Sequence, residues 1–203
     1  MQGRERGGVL LIVTLLMLVI IPYSPVSADQ DGACCSSQEF DLFLVGSADD
    51  GSLSPFDSDL DERFEQFVTP SIQGLVEIGT WETNWGLQGD YPDSTWEFRI
   101  PYEVEAAAGI QINATIGVNI GSTYFEGDAG AGLFLQNEGE VGISVDVLAG
   151  KVRSGDKIKL TFSVRSLSFS SPGDDAGIRF MWGTDEFSGR ISMKFPLVSI
   201  DMK

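Results

Sequence analysis

Histidine is absent from all 203 residues. That one gap removes more chemistry than any other feature of the chain. Ser-His-Asp and Cys-His catalysis need an imidazole, as do most zinc and copper sites, and histidine is the commonest general base. Lysine is scarce, at five, and the formal net charge is −17. Such a surface repels nucleic acid and anionic lipid headgroups, so neither is expected as a partner. Neither G-x-G-x-x-G nor G-x-x-x-x-G-K-[ST] occurs, so nucleotide binding has no support. Cysteine is limited to the adjacent pair Cys34 and Cys35. A trans peptide holds neighbouring Cα atoms about 3.8 Å apart, whereas an ordinary disulfide wants about 5.5 Å. The pair therefore cannot staple a fold. It suits a strained vicinal bridge, an intermolecular disulfide or, less well, lipid attachment, and we read it as redox chemistry in an N-terminal tail.

What is present begins with an export pattern. Arg4 and Arg6 precede an apolar run from Val9 to Ile21, Pro22 and Pro25 break it, and Val26-Ser27-Ala28 offers small residues for cleavage. This is the three-part layout of a secretory signal. The run is shorter than the roughly 20 residues that a spanning helix needs, and no second such run follows. The expected organisation is a signal peptide over 1–28, a polar linker over 29–38 that carries the cysteines, and a single domain over 39–203, secreted or at the cell surface.

The domain carries a period-two signal. Ile110, Ile112, Ala114, Ile116, Val118 and Ile120 alternate with Gln111, Asn113, Thr115, Gly117 and Asn119, which describes a strand with one apolar and one polar face. Val141 to Val147 and Ile158 to Val164 repeat the rule. A phase shift to Leu167 and Phe169 marks a bulge or bend. Ile178, Phe180 and Trp182 share a face, and Pro196 marks a slip near the end. Glycine-rich turns separate these segments. Eight or nine strands with little helix predict an all-β, antiparallel, jelly-roll-like sandwich. One helix is expected near 58–68, where Leu60, Phe64 and Phe67 fall at i, i+4 and i+7 behind acidic residues and ahead of Pro70. Alternating strands also suit a membrane barrel, but the aromatics cluster in one region, and the polar faces carry Lys and Arg.

Without histidine, carboxylates are the remaining reactive groups. Paired acids serve glycosidases, and an acidic chain always offers pairs. Glu39 and Asp41 lack a further acid where Phe43-Leu44 stand, so EFDLF reads as an ordinary strand. Asp57, Asp59 and Asp61 alternate like the first ligands of an EF-hand calcium loop, but Glu62 replaces the turn glycine and Val68 the bidentate glutamate. Acids at a helix start explain the same residues. Asp174 and Asp175 are a weaker calcium candidate. Asn113-Ala114-Thr115 is a glycosylation sequon.

Residues 80–98, TWETNWGLQGDYPDSTWEF, hold three of the four tryptophans. Trp96 alternates with Phe98 and belongs to the core. Trp81 falls in phase with Glu77 and Gly79, on the less apolar face, while Trp85 and Tyr91 sit among Asn, Gly, Gln, Asp and Pro. Rings beside amides and acids are what sugar-binding surfaces use. Trp81, Trp85 and Tyr91 are thus candidates for a ligand platform, although large aromatics are mostly buried. The reading is an exported binding module for a glycan or cell-surface polymer, without catalysis. Its rivals are a self-associating structural protein of a surface layer or filament, and a carboxylate-dependent glycosidase or lyase.

Overall fold

A computed structural model describes residues 38–69, 74–170 and 175–195. Cys34 and Cys35, the signal region, Asp174 and Pro196 lie outside the described residues. Fourteen strands follow in chain order: β1 (Gln38–Val45), β2 (Gly51–Ser54), β3 (Asp61–Val68), β4 (Val76–Thr83), β5 (Leu87–Tyr91), β6 (Ser94–Glu105), β7 (Gly109–Ile120), β8 (Thr123–Asp128), β9 (Leu133–Leu135), β10 (Glu138–Val147), β11 (Gly150–Asp156), β12 (Ile158–Ser170), β13 (Gly177–Thr184) and β14 (Arg190–Phe195). The fold is all-β and sandwich-like, with more strands than the spacing of turns suggested.

Hydrogen bonding runs along one path, β3-β13-β6-β14-β1-β2-β4-β12-β7-β8, with β10 added to β6 and β9 to β7. Every pairing is antiparallel except that of β2 with β4. The path folds into two layers that face each other. Phe98 of β6 meets Phe162 of β12 at 5.1 Å between ring centroids, and Phe162 meets Phe180 of β13 at 5.2 Å. One layer is therefore built on β10, β6, β13 and β14. The other is built on β4, β12, β7 and β8, and β1-β2 carries the ladder from one to the other. Opposite that link, β8 closes onto β10. Gly127 packs so tightly against the Ser144 carbonyl and Val145 that no Cβ would fit between them.

Alternation positions the core as the sequence implies. Ile110, Ile112, Ile116 and Val118 of β7 and Val141, Ile143 and Val145 of β10 are buried, as are Trp96, Phe98 and Ile100 of β6. A register shift in β12 between Ser166 and Ser168 leaves Leu167 as the extra residue, exposed on a bulge. A separate two-stranded sheet pairs β5 with β11.

Residues 61–68 correct the expected helix. They form β3, an edge strand on β13 with Phe64 opposite Trp182, preceded only by a 3-10 turn at Asp57–Asp59. Phe64 and Phe67 differ by an odd number of positions and so take opposite faces of the strand. Phe64 stacks on Trp182 at 6.4 Å, while the Arg179 guanidinium lies 5.5 Å from the centre of the Phe67 ring. The apparent helical spacing came from two aromatics serving different faces.

Candidate functional site

The platform candidates are not at the surface. Trp81 is fully buried, and Trp85 and Tyr91 retain only 8% and 3% of their exposure. Trp81 lies inward because β4 carries a bulge. Gly79 opposes Phe162 and Glu77 opposes Ser163, leaving Ile78 as the extra residue. That one insertion resets the phase and turns Trp81 from the polar face to the core, where its ring covers Gly51 and Gly79. Trp85 belongs to the same core cluster. The buried Thr83 hydroxyl donates to the Trp85 carbonyl (2.9 Å) and accepts the Ile158 N–H (3.2 Å). Tyr91 lies over Gly150 in the small β5-β11 sheet. None of the three offers a face for stacking.

The calcium candidates are likewise not drawn together. Asp57 and Asp59 sit on the 3-10 turn, Asp61 opens β3 opposite Thr184, and all three are exposed. Asp59 accepts the Ser54 hydroxyl. Among the described residues, no group of three or more acids or cysteines could hold a metal ion. Asn113 is half-buried, and its amide oxygen accepts the Gly132 N–H at 2.8 Å.

A different surface has the composition expected of a ligand site: the outer face of β4, β12, β7 and β8. Its registers fix the order of residues across it. One row reads Tyr124, Asn119, Lys159, Glu82; the next reads Glu126, Gly117, Thr161, Thr80; the third reads Asp128, Thr115, Ser163, Glu77. Further along β7, Asn113 stands beside Arg165, and Gln111 stands beside Phe134. Two large rings remain exposed here, Tyr124 at 56% and Phe134 at 49%. Each covers a glycine of β7: Tyr124 lies over Gly117, and Phe134 over Gly109. The two glycines are eight residues apart, or about 26 Å along an extended strand.

The polar groups on this face are ordered. Thr80 and Thr161 hydroxyls are 3.2 Å apart, and Thr80 also donates to Glu77 (3.2 Å). Tyr124 donates to Glu126 at 2.6 Å. That hydrogen bond, with burial and the Glu126 charge behind it, pushes the phenol up to about 12. The loop between β8 and β9 is pinned to β7 through Asn113, and through the Gln111 amide, which donates to the Gly132 carbonyl at 3.2 Å.

The opposite layer presents a more heavily charged surface. Arg179 pairs with Glu65 and Glu105, and Arg99 and Arg190 both approach Glu140 at 3.9 and 3.8 Å. Arg179 is the main cause that holds the Glu105 carboxyl below its ordinary value.

Comparison with known proteins leaves function open. No family model and no curated protein matches the chain. Two solved structures of a CocE/NonD family hydrolase from Staphylococcus aureus are similar in shape, with TM-scores of 0.50 and 0.46, both at 8% identity. They match over 78% and 79% of this chain, but only 36% and 37% of the hydrolase. The chain thus corresponds to about a third of that protein's length, and the likeness is one of fold.

Tyr124 and Phe134 escaped the sequence reading because they lie in short segments punctuated by glycine, which resemble turns. The usable signal was in β7. Gly109 and Gly117 fall on the polar face of a long strand, where a missing side chain calls for a neighbouring ring to cover the backbone.

Proposed function

We propose that the protein is an exported, non-catalytic module that binds a polysaccharide chain along the outer face of β4, β12, β7 and β8. The observation that carries this reading is the pair of half-exposed rings, Tyr124 and Phe134, seated over glycines of one strand. Rings at two points of a flat face suit the apolar faces of successive sugars, and the hydroxyls and amides between them suit sugar hydroxyls. Export rests on the basic, apolar and small-residue pattern of residues 1–28. Binding is favoured over catalysis because the chain has no histidine and the acids of this face are held by its own groups. Glu82 pairs with Lys157, Glu126 accepts from Tyr124, Asp128 accepts the Gly130 N–H, and Glu77 accepts from Thr80. The hydrolase similarity extends to about a third of that enzyme and is one of fold.

The test is retention on a panel of immobilised polysaccharides, with the Tyr124→Ala, Phe134→Ala double variant beside the native chain. The variant should lose about tenfold or more in affinity, a step worth about 1.4 kcal/mol, at a temperature where both proteins are shown to be folded. Equal retention of both proteins, or no retention on any polymer, overturns the reading. A rise in native mass with concentration that Tyr124→Ala abolishes would replace the polymer by a second copy of the chain.

A further inference from the structure

The second layer's outer face carries both acids and cations. Its acids are engaged one by one, as described above. Two of its cations are not. Lys159 and Arg165 both project from β12, both are exposed, and neither makes an ion pair among the described residues. Lys159 lies in register with Glu82, but that carboxylate is taken by Lys157 at 2.6 Å. Arg165 lies beside Asn113, whose amide oxygen is already bonded to Gly132. On the opposite layer, Arg63, Arg99, Arg179 and Arg190 are ion-paired, whereas Lys194 of β14, like Arg153 of β11, makes no ion pair among the described residues. What sets Lys159 and Arg165 apart is their place: solvated and free to take an anionic partner, they stand on the face that carries the exposed rings.

We infer that the polysaccharide bound by this face carries carboxylates, as a uronic acid polymer does, and that Arg165 and Lys159 receive them. This rests on the reading of the face as a polysaccharide platform and names the class of polymer. Arg165 supplies a planar fork that matches a carboxylate through two parallel N–H···O bonds, and Lys159 supplies a point charge. The two are six residues apart on one strand, about 20 Å, and lie on the same side of the sheet as Tyr124 and Phe134. A repeating polymer can meet rings and cations at once. Glu77, Glu82, Glu126 and Asp128 share this face, each engaged by a neighbouring group, and acids farther than about 8–10 Å are largely screened at physiological ionic strength.

The experiment is affinity electrophoresis of the full chain through gels containing polygalacturonate, a neutral dextran or dextran sulfate, with a chelator present so that calcium cannot bridge acid to acid. The native chain should be retarded by polygalacturonate. The Lys159→Gln, Arg165→Gln double variant should lose about tenfold in affinity there, the combined effect of two exposed charge contacts. Both side chains are exposed, so the melting temperature should not change. Retardation should also weaken as salt is raised. Equal retardation of the native chain and the double variant overturns the inference, as does retardation by dextran sulfate alone. Retardation by neutral dextran alone, lost in Tyr124→Ala, overturns the inference and keeps the platform. No retardation in any gel removes both.

Discussion

The indole of Trp81 meets that of Trp182 edge to face, with ring centroids 5.2 Å apart and planes at 89°. This contact joins β4 to β13 across the two layers, and the Trp182 N–H donates to the Gly46 carbonyl at 2.8 Å. Trp81→Ala should therefore cost about 3–5 kcal/mol of unfolding free energy, the range for a buried tryptophan. Trp85→Ala should also destabilise by more than about 2 kcal/mol, because that ring belongs to the same core. Urea titrations of both variants check this. A native-like Trp85→Ala midpoint would return that ring to the surface.

Thr83 holds two backbone groups with one hydroxyl. Thr83→Val keeps the shape and leaves the Ile158 N–H and the Trp85 carbonyl without that hydroxyl, at a cost of about 1–3 kcal/mol. Thr83→Ser, which keeps the oxygen, should recover most of the loss in the same denaturation assay.

The seam between β8 and β10 has no room to spare. Gly127→Ala should destabilise by about 1–3 kcal/mol, because the new methyl meets the Ser144 carbonyl and Val145. Gly142→Ala on β10 meets nothing within 4 Å and should melt at or above the native temperature, since alanine also loses less backbone freedom on folding. Equal melting temperatures for the two variants would mean that the seam is looser than described.

Tyr124 gives a spectroscopic handle on the candidate face. Its phenol should titrate at about 12 in the folded protein, followed by phenolate absorbance. Glu126→Gln should bring it down towards 10, because the hydrogen bond and negative charge of Glu126 are the chief protein groups that hold the proton on. A folded pKa raised above the unfolded value contributes stability that is fully present below about pH 10 and lost as pH rises towards 12. The native chain should thus lose its stability advantage over Glu126→Gln across that window. A phenolate transition unchanged by the substitution would detach Tyr124 from Glu126.

Much of the fold was legible because period two is a strong signal in long strands. β7, β10 and β12 each keep one apolar face over most of their length, and the phase slip at Leu167 pointed to the bulge found there. The reading failed where one residue changed the phase. The bulge at Ile78 left the pattern around Trp81 ambiguous, since the glycine at 79 carries no side chain to say which face is inward. It failed again at β3, where an aromatic on each face imitated a helix. The candidate face was hidden for a third reason. Its rows are assembled from β4, β12 and the β7-β8 hairpin, which lie dozens of residues apart along the chain, and only the pairing registers put Tyr124 in line with Lys159.

The first and last described strands lie side by side, with Gln38 paired to Phe195 at their shared outer end. The described strands thus begin and end at one point of the domain. A pull between Gln38 and Phe195 would open the β1-β14 ladder one rung at a time, as a zipper opens, and would not load all its rungs together in shear. A load applied at Gln38 and across the packed layers would instead spare that ladder. In mechanical terms the fold is weakest to a pull between its first and last described strands.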